Sequence, residues 1–281
     1  MPFEQLEDEP MREALDAARA AAVAGAKVLD DRRDAMGPVR VKRWTNDLVT
    51  DTDIAAGVAV VQEILRRDRD ASIVIEEDEV YELTGTSPGD LHGDSVWIID
   101  PLDGTTSFVH GYPCYSVSVA YAERGVVHAG AVHNTSMGEL FSAGRGLGAF
   151  RNDERISTAT ATDVRDSLLI TGFPYDRGAP LERQLSVFAA FLRAYVHGMR
   201  RDGSAANDCC HVAMGRADGY WEYYLKPWDM AAGALICTEA GAVATDVSGS
   251  PWSVDSESIC VANPSLHAAM LQVIRDAGGA D

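Results

Sequence analysis

Val96-Trp97-Ile98-Ile99 is a short, unbroken apolar run that ends on a carboxylate, Asp100, followed at once by Pro101. Such a run reads as a strand in the interior of a sheet. Proline fixes φ and cannot donate to a sheet ladder, so pairing is expected to break there. Asp103 follows in the same turn, beside Gly104, Thr105 and Thr106. Two carboxylates thrown into one turn repel each other. A hard cation such as Mg²⁺ resolves that conflict through oxygen ligands, backbone carbonyls such as that of Leu102 included. The Gly104-Thr105-Thr106 stretch exposes backbone N–H groups at a helix start, where a phosphate can sit. Spacing alone fits equally a turn capped by its own aspartates.

Two further acidic positions matter. Glu76-Glu77-Asp78-Glu79 directly follows the β-branched run Ser72–Ile75. Most acidic runs are solvated, and three of these four are expected to be. Glu76 is the exception, because it closes a strand beside which a neighbour would present Asp100. Asp229 opens the Ala-rich helical stretch Trp228–Ala240, where the ordinary role of an acid is helix capping.

The rest of the chain organises into two styles. An Ala-rich helical pattern from Met11 to about Asp34 precedes a second helix that starts after the Thr50–Asp53 cluster and runs to about Arg67. Tyr115–Tyr121, Val126–His133, Glu139–Ala143 and Ala149–Arg151 are strands separated by hairpin-type turns. The second half alternates: strand Leu168–Thr171, helix Leu181–Tyr195, helix Ser204–Gly215, strand Gly219–Trp221, helix Trp228–Ala240, strands Val243–Thr245 and Ser258–Val261, and a last helix from Pro264. At about 100–200 residues per domain, 281 residues make one large domain or two intimately packed ones. The expected division is residues 1–150, an α+β half, and residues 151–281, an α/β half.

A net charge of −19 disfavours nucleic acid and anionic membranes as partners. No apolar run approaches the ~20 residues that cross a bilayer. The opening MPFEQLEDEP has no basic segment, so a secretory signal is not expected and the expected location is the cytoplasm. Five cysteines without CxxC spacing read as buried small hydrophobes.

Taken together, the motifs resemble the inositol monophosphatase family of Mg²⁺-dependent, lithium-sensitive phosphatases. The resemblance covers most of the chain. It rests on Asn46–Asp53, Glu76-Glu77, the stretch from Trp97 to Pro113, the stretch from Arg200 to Ala206 continuing to Gly219–Glu222, and Leu225–Gly233. It implies a layered αβαβα sandwich of the inositol monophosphatase and fructose-1,6-bisphosphatase type. By resemblance, Glu76, Asp100, Leu102 (through its carbonyl), Asp103 and Asp229 hold two or three Mg²⁺ ions, with Mn²⁺ as a substitute. Gly104 and Thr105 hold phosphate, and Thr105 with Glu76 orients the attacking water. Asp53 is an outer carboxylate or a ligand to a third ion. Asp103, Gly203, Ser204, Ala205, Glu222 and Asp229 meet the substrate.

The activity so implied is hydrolysis of myo-inositol monophosphate or a similar small polyol phosphate by a homodimer. The alternatives are fructose 1,6-bisphosphate, histidinol phosphate or a phosphoadenosine as substrate, or a non-catalytic regulatory module. Ile75, Ser107 and Asn207 depart from the family pattern, the last where an apolar residue is expected.

Overall fold

The computed structural model describes residues 9–280; the acidic opening stretch read above lies outside the described residues up to position 8, as does Asp281. Helix α1 (Glu9–Arg32) buries Ala17, Ala18, Ala21, Ala22 and Ala26, a stripe at helical spacing. Small side chains on that stripe let α1 lie close to α2 (Asp51–Arg67) and to three strands of the first sheet. Between the helices, β1 (Val39–Val41) and β2 (Leu48–Thr50) form an antiparallel hairpin that the sequence reading did not anticipate. All three β1 residues are exposed, so the brief Val-Arg-Val alternation marks no buried face.

The first sheet has seven strands in sequential order: β3 (Ile73–Ile75), β4 (Val96–Asp103), β5 (Ser116–Glu123), β6 (Val126–Asn134), β7 (Glu139–Gly144), β8 (Gly148–Arg151) and β9 (Glu154–Arg155). Only β3 and β4 run parallel; the remainder is an antiparallel meander. A short helix, α3 (Glu79–Thr84), separates β3 from β4, and all eight residues of β4 are buried. As expected from Pro101, pairing with β5 breaks after Asp100–Ser118, but it resumes at Asp103–Ser116, so the strand bulges and does not end.

The second sheet, in the order β11-β10-β12-β14-β13, comprises β10 (Leu168–Thr171), β11 (Gly198–Arg200), β12 (Gly219–Tyr223), β13 (Val243–Thr245) and β14 (Ser258–Ala262). Helices α6 (Ala205–Ala213) and α7 (Pro227–Glu239) fill the space between the sheets. From Met230 to Cys237 every residue of α7 is buried, the signature of a helix covered on all sides. Helices α5 (Ala179–Arg193) and α8 (Pro264–Asp276) cover the far face of the second sheet. The layers therefore run α1/α2, first sheet, α6/α7, second sheet, α5/α8: an αβαβα sandwich. All five cysteines are free and buried. No helix among the described residues is long and apolar enough to cross a membrane.

Candidate active site

A cavity of about 530 Å³ opens where the carboxyl end of β4 meets the N-termini of α6 and α7. Glu76, Asp100, Leu102, Asp103, Gly104, Thr105, Gly203, Ala205, Glu222 and Asp229 all line it, so the structure gathers ten of the twelve residues singled out above. Asp53 and Ser204 stand behind its wall.

Each side chain is delivered by local structure. Strands β3 and β4 run in parallel register, Ile75 against Ile99, and the Glu76 amide donates to the Ile99 carbonyl at 3.2 Å. Glu76 and Asp100 thus leave neighbouring strand ends together. One Asp100 oxygen accepts from the Leu102 amide at 3.0 Å. Asp103 accepts from the Ser204 hydroxyl at 2.7 Å and from the Ala206 and Ala205 amides at 2.8 and 3.3 Å. The turn of the first sheet is thereby bonded to the start of α6. Asp229, in the first turn of α7, accepts from the Lys226 amide at 2.7 Å.

Gly104 has φ +93°, and a Cβ there would lie 2.9 Å from the Cys114 carbonyl oxygen, so only glycine turns the chain into α4 (Thr105–Val109). The first-turn amides of α4 have no partner within the helix and are available to an anion. The Thr105 hydroxyl donates to Asp53 at 2.9 Å and lies 3.1 Å from the Leu102 carbonyl. Asp53 also accepts from the Thr50 amide and hydroxyl at 2.9 and 2.6 Å, which makes it both the capping acid of α2 and the support of Thr105.

The electrostatics are dominated by uncompensated acid. Burial pushes Asp100 well above the usual carboxylate range, and repulsion from Glu76, Asp103 and Asp229 adds to it. Burial also raises Asp229, again with Asp103 and Glu76 contributing. Asp103 is pushed up to about 6 by burial, with its bonds from Ser204 and Ala206 working in the opposite direction. Among the described residues, no lysine or arginine forms an ion pair with any of these three.

An all-oxygen set of crowded buried acids without a cationic side chain suits hard divalent ions. No three cavity acids bring their oxygens within 4.8 Å of one another. Among the described residues, only Asp202, Asp208 and His211 reach that spacing, outside the cavity lining.

Several features escaped the sequence reading. Glu77, expected to be solvated, is buried. Its carboxyl is pushed up to about 7 by burial and by Glu76, with Lys42 opposing. The correction has a simple cause: the Lys42 ammonium, brought in by the β1–β2 hairpin, contacts Glu77 and sits 2.7 Å from Glu76. Gly172 is a second miss. A Cβ on it would lie 2.0 Å from both Glu222 oxygens, so the bare backbone makes room for that carboxylate. Glu222 accepts from the Tyr220 hydroxyl at 2.8 Å, and burial pushes it up to about 7. Asn207, noted as a departure, is fully buried with its carboxamide unpartnered.

Residues 10–278 match the inositol monophosphatase family. The chain is 39% identical over 269 residues to the chloroplastic phosphatase IMPL1 of Arabidopsis thaliana, covering 94% of this chain and 70% of that protein. It is 37% identical to the Nus factor SuhB of Vibrio cholerae, covering 93% and 95% of the two chains. Among solved structures, the inositol monophosphatase of Anabaena superposes with a TM-score of 0.80 at 32% identity, over 95% of this chain and 97% of that one. With the match spanning nearly the whole molecule, the chain belongs to the inositol monophosphatase family.

Proposed function

We propose that the protein is a Mg²⁺-dependent phosphomonoesterase that hydrolyses myo-inositol monophosphate or a similar small polyol phosphate. The observation that carries this reading is the group of buried acids Asp100, Asp103 and Asp229 that no basic side chain neutralises, on one wall with Glu76 and the Gly104–Thr105 turn. Glu76, Asp100, the Leu102 carbonyl, Asp103 and Asp229 would hold the ions. Their spacing favours more than one ion over a single ion shared by three side chains. When bound, such ions lower the pKa of a water molecule and offset charge on the departing alkoxide.

The chain's own groups supply the rest. Amides of Gly104 and Thr105, at the start of α4, would hold the phosphoryl oxygens. The Thr105 proton is committed to Asp53, which leaves the hydroxyl's lone pairs to accept from a water and orient it. Gly203, Ala205 and Glu222 form the wall that a polyol ring would meet, while Ser204 keeps Asp103 in place. Arg201 and Lys226 at the cavity add positive charge for an anionic substrate.

The similarity to a Nus factor favours a second reading, a regulatory module acting on transcription. The net charge of −19 weighs against direct contact with nucleic acid. Phosphate release from a panel of sugar, polyol, histidinol and adenosine phosphates, with Mg²⁺, with Mn²⁺, with added Li⁺ and after chelation, decides between them. Release from inositol monophosphate that is fastest, ion-dependent and lithium-sensitive supports the proposal. Inertness toward every ester in the presence of Mg²⁺ refutes it. Light scattering tests the proposed homodimer.

A further inference from the structure

We infer that Asp202, Asp208 and His211 form a second metal site, suited to a divalent transition ion such as Zn²⁺ and separate from the acids of the cavity. Asp208 and His211 lie three residues apart on α6 and so share one face of the helix. Asp202 comes from the loop between β11 and α6. Carboxylate and imidazole atoms of the three fall within 4.8 Å of one another, and none of the three lines the cavity.

The second observation is one of missing partners. Asp208 is fully buried, and neither of its carboxylate oxygens has a hydrogen-bond partner. The His211 Nε2 is likewise without one. Buried polar atoms are almost always satisfied, so a carboxylate with two bare oxygens beside a bare imidazole nitrogen needs a ligand. No arginine supplies it. Arg216, near His211, is held by Glu139 at 2.5 and 2.6 Å, and Arg201 attracts Asp208 through space while forming no ion pair with it or with Asp202. One imidazole with two carboxylates is a donor set for borderline ions, whereas the all-oxygen cavity suits Mg²⁺. An ion here would tie the loop carrying Asp202 to α6, the helix whose first amides hold Asp103.

The donor chemistry separates the two sites experimentally, because no histidine lines the cavity. The full chain, kept in excess Mg²⁺, is titrated with Zn²⁺. Bound zinc is counted after desalting, and its coordination shell is read by X-ray absorption. The expected result is one tightly held Zn²⁺ per chain with an imidazole nitrogen and carboxylate oxygens. His211→Gln and Asp202→Asn should lower its affinity roughly 10–100-fold. Asp202→Asn alters a partly exposed loop residue, and the wild-type spectrum requires no variant at all. A wild-type chain that retains no zinc, a shell without imidazole, or undiminished affinity in the folded His211→Gln protein overturns the inference.

Discussion

Replacing Glu222 by glutamine should make the ion-free protein more stable in mild alkali and leave it unchanged in mild acid. Burial pushes the Glu222 carboxyl up to about 7 from an ordinary value of 4.5. A raised acid holds its proton longer in the folded state than in the unfolded one. Its contribution is therefore intact below the unfolded value and declines as pH rises through about 7. A separation near 2.5 pH units corresponds to about 3 kcal/mol at full ionisation, a ceiling because Arg201 and residual solvent screen the charge. Glutamine removes the charge and keeps an oxygen for the Tyr220 hydroxyl, now 2.8 Å from the carboxylate.

Urea unfolding of both proteins without divalent ions, at about pH 4 and about pH 8, reads the effect directly. The variant should gain roughly 1–3 kcal/mol over wild type at the higher pH and almost nothing at the lower. A gap that does not change with pH, or a wild type that is the more stable of the two at pH 8, refutes the assignment of a strained acid to this wall. The same variant tests the substrate reading: its KM for a polyol phosphate should rise and lack the inflection near neutrality expected of wild type.

Asp100→Asn and Asp229→Asn should each cut turnover by about a thousandfold or more while circular dichroism reports an unchanged fold, because an amide binds Mg²⁺ poorly. Near-normal activity in either refutes the proposed ligand set. Thr105→Val removes a hydroxyl without changing shape, so kcat should fall roughly 10²-fold with little change in KM, as single-turnover and steady-state assays would show. Asp53→Asn should repeat part of that loss through Thr105. Gly172→Ala places a methyl group where the Glu222 oxygens lie, and should raise KM for the polyol ester while Mg²⁺ affinity, measured by calorimetry, stays the same.

What could be read from the sequence had a local cause. Val96–Ile99 reads as a buried strand because nothing polar interrupts it, and Ile75 beside Ile99 follows from two such runs flanking a loop. Glu76 and Asp100 could therefore be paired before any coordinates. The helices showed through their apolar spacing and, for α2, through the capping cluster that opens at Thr50. Lys42 could not be read in this way. It sits on an exposed hairpin, and only the three-dimensional path brings it to Glu76 and Glu77. Gly172 was equally silent, since its requirement is the absence of a side chain opposite a carboxylate that lies on another strand. The Asp208–His211 spacing is set by α6 alone. Asp202 gives it meaning only because the preceding loop folds back, and that return is set by packing between two sheets.

The bonds from Ser204, Ala205 and Ala206 to Asp103 have a consequence for the order of assembly. As the chain leaves the ribosome, Glu76, Asp100 and Asp103 are synthesised together, while α6 and Asp229 emerge much later. An early species holding only the seven-stranded sheet would carry its acids without the donors and the final carboxylate that complete the pocket. On the proposed function, capture of ions is then a closing event in biogenesis, and a nascent polypeptide would gain no foothold from them until the two sheets have docked.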